Sequence, residues 1–334
     1  PMIRMKLCVW QSRCSINRLH PQRRLAERCV NDAKASFFYS ITEAFSYTEG
    51  MNRSLQHRAL WAVFISFGLF GLGLTLGRFM SIQMDPITTA SQLIGSAPSV
   101  NLNGFVLQQP SSTLLVFLLG LITVIVGFVY ARHSSFIQRW LGINFILWGL
   151  GAWVAGISYQ AFGAALKCVG EEPCSWTNGV ELFYMILTVL SINALLVAYS
   201  GFTEGKVRHQ LQWGAMFSVI AYGLFQFQGM ILPIQFLLSY EFMLIFLATN
   251  ILLMMAISYR RKAQSLHRRL WQIWLLFLGV NAAYFVALLS GYALPLYQSR
   301  GLWFNENDVL HVLLAAWMLL WVTWVKPQDF EKMS

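Results

Sequence analysis

Eight stretches of this chain stay apolar long enough for a helix to cross a bilayer: roughly 59–80, 113–131, 141–165, 179–201, 213–232, 234–257, 271–294 and 308–325. A crossing helix needs about 20 such residues, because hydrocarbon offers the backbone no hydrogen-bond partner and each helical residue advances the chain by only about 1.5 Å. The chain is 57% hydrophobic and 11% charged, where an average soluble domain carries about a quarter charged residues. A soluble fold is excluded, and the expected architecture is an all-α, polytopic bundle of about eight transmembrane helices. The fifth and sixth runs touch at Leu232 and Pro233. Together they are too long for one crossing, so Pro233 marks a tight re-entry turn.

Orientation is read from the short loops. Arg53 and Arg58, Arg132 and Arg139, Lys206 and Arg208, then Arg260, Arg261, Lys262, Arg268 and Arg269 fall on one side. The alternate loops hold only Arg78 at a helix edge, Lys167 and Arg300. Basic residues stay cytoplasmic, so both termini are expected in the cytoplasm and any chemistry near the outer face. The net charge of +10 then serves membrane orientation, and nucleic acid is not an expected partner. Membrane lipids are.

Residues 1–55 are basic and contain no spanning run. They read as a cytoplasmic extension or as sequence upstream of a start at Met51, since the chain begins with Pro1; no apolar segment precedes a small-residue cleavage site, so no removable signal is expected. The transmembrane domain is placed at 56–326, followed by a short cytoplasmic tail, 327–334. The polar 81–112 segment forms a long outer loop, either plainly exposed or covering a cavity mouth. Trp271, Trp274, Trp303, Trp321 and Trp324 lie near span ends and read as interfacial anchors. Gly68, Gly71, Gly73 and Gly77 read as a close-packing stripe in the first span.

Of five cysteines, Cys8, Cys14 and Cys29 belong to the extension. Cys168 and Cys174 share an outer loop, where an oxidising compartment and short spacing favour a disulfide. Ionisable residues inside spans are the strongest functional pointers, because an unpaired charge there costs several kcal/mol. They are Glu181 at the start of the fourth span, Glu241 in the sixth, and Asp308 with His311 in the eighth, where His311 is the only histidine within an apolar run. Asp308 and His311 stand three residues apart, on one helix face. Asn305 before Asp308, and Asn178 before Glu181, also have the spacing of a capping box. Glu241, two turns past Pro233, is expected too deep to cap and should face the interior. Asn193 and Asn281 read as interhelical hydrogen-bonding residues.

Three segments carry a resemblance. Ser158-Tyr159-Gln160-Ala161-Phe162, Gly179-Val180-Glu181-Leu182-Phe183 and Asn307-Asp308-Val309-Leu310-His311-Val312 resemble motifs of the superfamily that joins alkaline ceramidases, adiponectin-type receptors and hemolysin III proteins. The resemblance implies a seven-helix core preceded by one accessory span. It also implies a metal ion held between the ends of the third, fourth and eighth spans here. Gln160 stands where that family has its first metal-binding His, Asn307 where it has the first of a His pair, and Glu181 replaces an Asp; His311 alone matches. One His among carboxylates and an amide would suit Mg²⁺ or Mn²⁺ better than zinc.

The first expectation is therefore an intramembrane hydrolase of a lipid amide or ester, with Glu181, Asp308 and His311 as metal ligands or catalytic groups and Tyr159, Gln160 and Glu241 as ligand-binding positions. Its alternative is a non-enzymatic protein binding a lipid or small ligand through the same polar groups. A transporter coupled through Glu241 ranks third. The resemblance reaches bacterial membrane families, so a bacterial inner membrane is the expected location.

Overall fold

A computed structural model describes residues 53–95, 97–102, 105–168 and 173–331. The basic extension and its three cysteines lie outside the described residues. Eight helices are long and apolar enough to span a membrane. They are α1 (Arg53–Leu76), α3 (Pro110–Ala131), α4 (Phe136–Ala155), α6 (Gly179–Ser200), α7 (Gly205–Ile231), α8 (Tyr240–Arg260), α9 (Ser265–Ser290) and α11 (Glu306–Trp324). Short helices α2 (Ala90–Gly95), α5 (Gly163–Lys167), α10 (Ala293–Arg300) and α12 (Gln328–Glu331), the helical turns Phe79–Ser81, Gly156–Ala161 and Gln235–Leu238, and one hairpin complete the described elements.

Local chemistry sets several boundaries. Pro110 opens α3 at a position where its missing N–H is not needed. Asn178 caps α6 by accepting from Val180 N–H and Glu181 N–H at 2.9 and 3.0 Å. Gly291, at φ +59°, ends α9 in the left-handed conformation that glycine adopts without a Cβ clash.

Six spans close a ring in which α6 is the most buried member. Going round, α3 packs on α4, α4 on α6, α6 on α8, α8 on α9, α9 on α11, and α11 returns to α3; α7 lies against α6, and α1 packs outside on α7. Thus seven helices make the core and α1 is the accessory span. In α6, 83% of the spanning core is buried inside the protein, against 17% in α9. The polar residues of α6 are correspondingly paired: Ser191 Oγ lies 2.9 Å from the Asn144 side chain, and Asn193 accepts from Asn250 of α8 at 3.2 Å. Asn281, expected to bond between helices, instead donates to Phe277 O of its own helix.

Alternating crossings put the N-termini of α3, α6, α8 and α11 on one face, called here the site face. On it, the 81–112 segment is more ordered than an exposed loop. It holds α2 and an antiparallel hairpin, β1 (Ser99–Leu102) with β2 (Phe105–Gln108), in which Ser99 pairs with Gln108. Backbone bonds from Met84 N–H to Cys174 O and from Trp176 N–H to Ile82 O tie the segment to the loop before α6. The Cys168–Cys174 disulfide is formed.

The opposite face differs from expectation. The chain after α11 turns back as α12 and covers the bundle end: Tyr130 donates to Val325 O, Gln138 to Pro327 O, and Arg269 pairs with Asp329 at 3.1 Å. Phe330 is buried against Tyr130 and Phe202. Trp274 and Trp321 are consequently core residues within an aromatic cluster that includes Phe145 and Trp317, not interfacial anchors. α9 begins at Ser265, so His267 lies within a spanning helix and is fully buried, with an edge against Phe202. Of the four glycines, Gly73 in α1 and Gly77 just past its end closely approach Met230, whereas Gly68 and Gly71 face open space.

Candidate functional site

The site face gathers most of the expected residues, in two neighbouring groups. The first centres on Glu181, in the first turn of α6 behind its Asn178 cap. Its carboxylate is buried and held twice: Lys167 Nζ lies 2.8 Å from Oε1, and Thr177 Oγ1 donates to Oε2 at 3.0 Å. Lys167 ends α5, next to Cys168 of the Cys168–Cys174 disulfide. The same ammonium lies 5.3 Å from the centre of the Tyr159 ring, whose own edge contact is Tyr184 at 5.6 Å. An opposite charge this close compensates for removing Glu181 from water.

Tyr159 and Gln160 belong to a π-helical turn, Gly156–Ala161, that extends α4. Such turns insert one residue into a helix and re-aim the side chains that follow. Here the turn leaves Tyr159 partly exposed and Gln160 buried. Next to it is a cleft of about 140 Å³ lined by Leu93, Gln108, Gln109, Ser158, Tyr159 and Lys167, with Gly163 and Ala164 at its base. The hairpin makes one wall: Gln108 Oε1 accepts from Ala164 N–H at 2.8 Å and its amide donates to Leu93 O at 3.2 Å. A Cβ at Gly163 would meet Ser158 O tightly, at 3.2 Å, and touch Gln108 Oε1 at an ordinary 3.5 Å.

The second group sits at the start of α11. Asn305 and Asp308 form a reciprocal capping box, Asp308 N–H to Asn305 Oδ1 at 3.0 Å and Asn305 N–H to Asp308 Oδ2 at 2.9 Å. Asn305 also donates to Gln109 Oε1 at 3.0 Å, which joins this helix start to the cleft wall. His311 follows one turn later, buried, with Nδ1 lacking a hydrogen-bond partner.

Glu241 departs from its expected role. The residues after Pro233 form a 3-10 turn, Gln235–Leu238, so α8 starts only at Tyr240 with Ser239 as cap. Glu241 therefore stands exposed in the first turn, where a carboxylate favours the positive helix end. Depth counted from Pro233 overlooked that short turn.

A metal ion was implied by the family resemblance, and the arrangement does not fit a divalent one. Glu181 is neutralised by Lys167, Asp308 spends one oxygen on its cap, and no three His, Cys, Asp or Glu side chains among the described residues form a metal-holding group. Sequence reasoning missed Lys167, Thr177, Gln108 and Gln109 as site residues. The one available signal was that Lys167 is among few cations on its side of the charge pattern. No protein-family model, curated protein or solved structure matches the chain.

Proposed function

We propose that this is a non-enzymatic membrane protein that binds a lipid headgroup or small polar ligand in the cleft beside Tyr159. The observation that carries this reading is the state of Glu181: a group needed to activate water or hold a metal is instead committed to Lys167 and Thr177. The cleft, by contrast, offers donors. Lys167, Gln109 and Tyr159, each of which carries a donor group, are among its lining residues, and the Lys167 charge is already balanced by Glu181. An uncharged, acceptor-rich group, such as an acyl carbonyl or a headgroup hydroxyl cluster, suits that lining better than a free anion.

The test uses protein purified into nanodiscs with a photoactivatable diacyl lipid. Crosslinked peptides should concentrate on 158–167 and fall at least severalfold in Tyr159→Ala and Gln109→Ala. Labelling spread evenly over the lipid-facing belt and unchanged in both variants would remove the reading. So would turnover of a lipid amide or ester that His311→Ala abolishes.

The charge bias supports cytoplasmic termini, and the bacterial inner membrane is proposed from the family resemblance alone. Alkaline phosphatase fused after Gly301 should be active, and the same enzyme fused after Gln264 inactive.

A further inference from the structure

On the face opposite the cleft, α1 and α7 start side by side and run parallel. Arg58 Cζ lies over the Trp213 ring, 4.7 Å from its centre, Ser66 Oγ donates to Val219 O at 3.1 Å, and Gly73 meets Met230. These pairs keep one register along the seam. Both spans begin at this end, at Ser54 and Gly205, so Arg58 and Trp213 stand near the membrane boundary.

The α7 face that carries Trp213 changes character with depth. Lys206, Gln210, Trp213 and Phe217 recur at helical spacing and are all exposed. The stripe passes from a cation, through an amide and an indole, to a bare phenyl ring within about 16 Å. α1 repeats the order, with Arg58 exposed and Trp61 exposed one turn deeper. Water and headgroups suit the start of each stripe, and hydrocarbon suits its end.

Arg58 has no carboxylate partner among the described residues; Asp329, an acid of this face, is held by Arg269. The indole ring fixes the guanidinium by cation–π attraction without using its N–H groups. Those groups suit phosphate oxygens. Glu204, at the cap of α7, is the acid nearest along the chain, and Arg58 with Lys206 outweighs it.

We propose that the start of the α1–α7 seam binds an anionic phospholipid. Its phosphate rests on Arg58, Lys206 adds to the positive field, and its acyl chains lie along Trp61 and Phe217. The site is at the other end of the bundle from the cleft and does not depend on the cleft's ligand.

Native mass spectrometry of the full chain in detergent tests it, with phosphatidylglycerol and phosphatidylcholine of matched acyl chains competing at equal concentration. Phosphatidylglycerol should be retained about fivefold over phosphatidylcholine, the size of one cation's attraction to an anionic lipid. Arg58→Ala, at an exposed position that leaves the fold intact, should bring that ratio close to one, and Trp213→Leu should lower it by removing the ring that holds the guanidinium. Arg260→Ala removes an equal charge from an exposed site on the same face and should leave the ratio unchanged. No preference in the unaltered protein would overturn the proposal. So would equal losses in Arg58→Ala and Arg260→Ala, which mean diffuse surface charge, or displacement of the bound lipid by inorganic phosphate, which means a site for a free anion.

Discussion

The Glu181–Lys167 pair shows how one residue's partner decides its role. Glu181 is 2% exposed and Lys167 14%, so removing either leaves the other charge stranded in a low-dielectric setting. Lys167→Ala should destabilise the protein by about 3–5 kcal/mol, while the double change Glu181→Gln with Lys167→Met should cost far less, because it removes both charges together. Unfolding of the unaltered protein, Lys167→Ala, Glu181→Gln and the double variant in detergent measures the difference; equal losses in single and double variants would show that the pair has no special weight. Glu181, Asp308 and His311 were visible in the sequence because ionisable groups are rare in apolar runs. Lys167 was not, since a partner 14 residues away across a loop leaves no periodic mark. The Asn178 and Asn305 caps were legible, being local spacings that the backbone enforces.

At the scale of elements, all eight spans could be read from hydropathy, because a membrane leaves helices little alternative. Their ends were less legible. Pro233 did mark the turn between α7 and α8, yet the 3-10 segment after it delays α8 by several residues and carries Glu241 out of the interior. Ser239, whose Oγ accepts from Phe242 N–H at 3.1 Å, is the residue that starts the helix. Ser239→Ala should cost about 1 kcal/mol, and Glu241→Gln only a few tenths from the weakened helix-end interaction. A large loss of stability in Glu241→Gln would mean that the acid has a buried partner. The hairpin of 99–108 escaped notice because its strands are four residues each and lack a sustained alternation.

At the scale of the molecule, the closing segment after α11 explains why tryptophans near span ends are core residues. Distance from a helix end reports depth only when nothing folds over that end. Here Val325, Pro327, Asp329 and Phe330 all find partners on the bundle. Phe330→Ala should destabilise by about 3–5 kcal/mol through the cavity it leaves, and should shift the Trp274 and Trp321 fluorescence to longer wavelength as water reaches them. Unchanged emission and Tm would show that α12 is not needed to seal this end.

The deep burial of α6 has a consequence in time. Synthesised fourth among the spans, it must enter the bilayer facing lipid on sides that α8 and α9 later cover. Asn193 then waits for Asn250, 57 residues downstream, and at ~5–20 residues per second that interval is about 3–11 s. Until then its amide can rely on Val189 O of its own helix, to which it donates at 2.8 Å. A nascent chain arrested before α8 would therefore hold its most buried helix as its most exposed one. Such a chain is where membrane chaperones and quality-control proteases would find this protein.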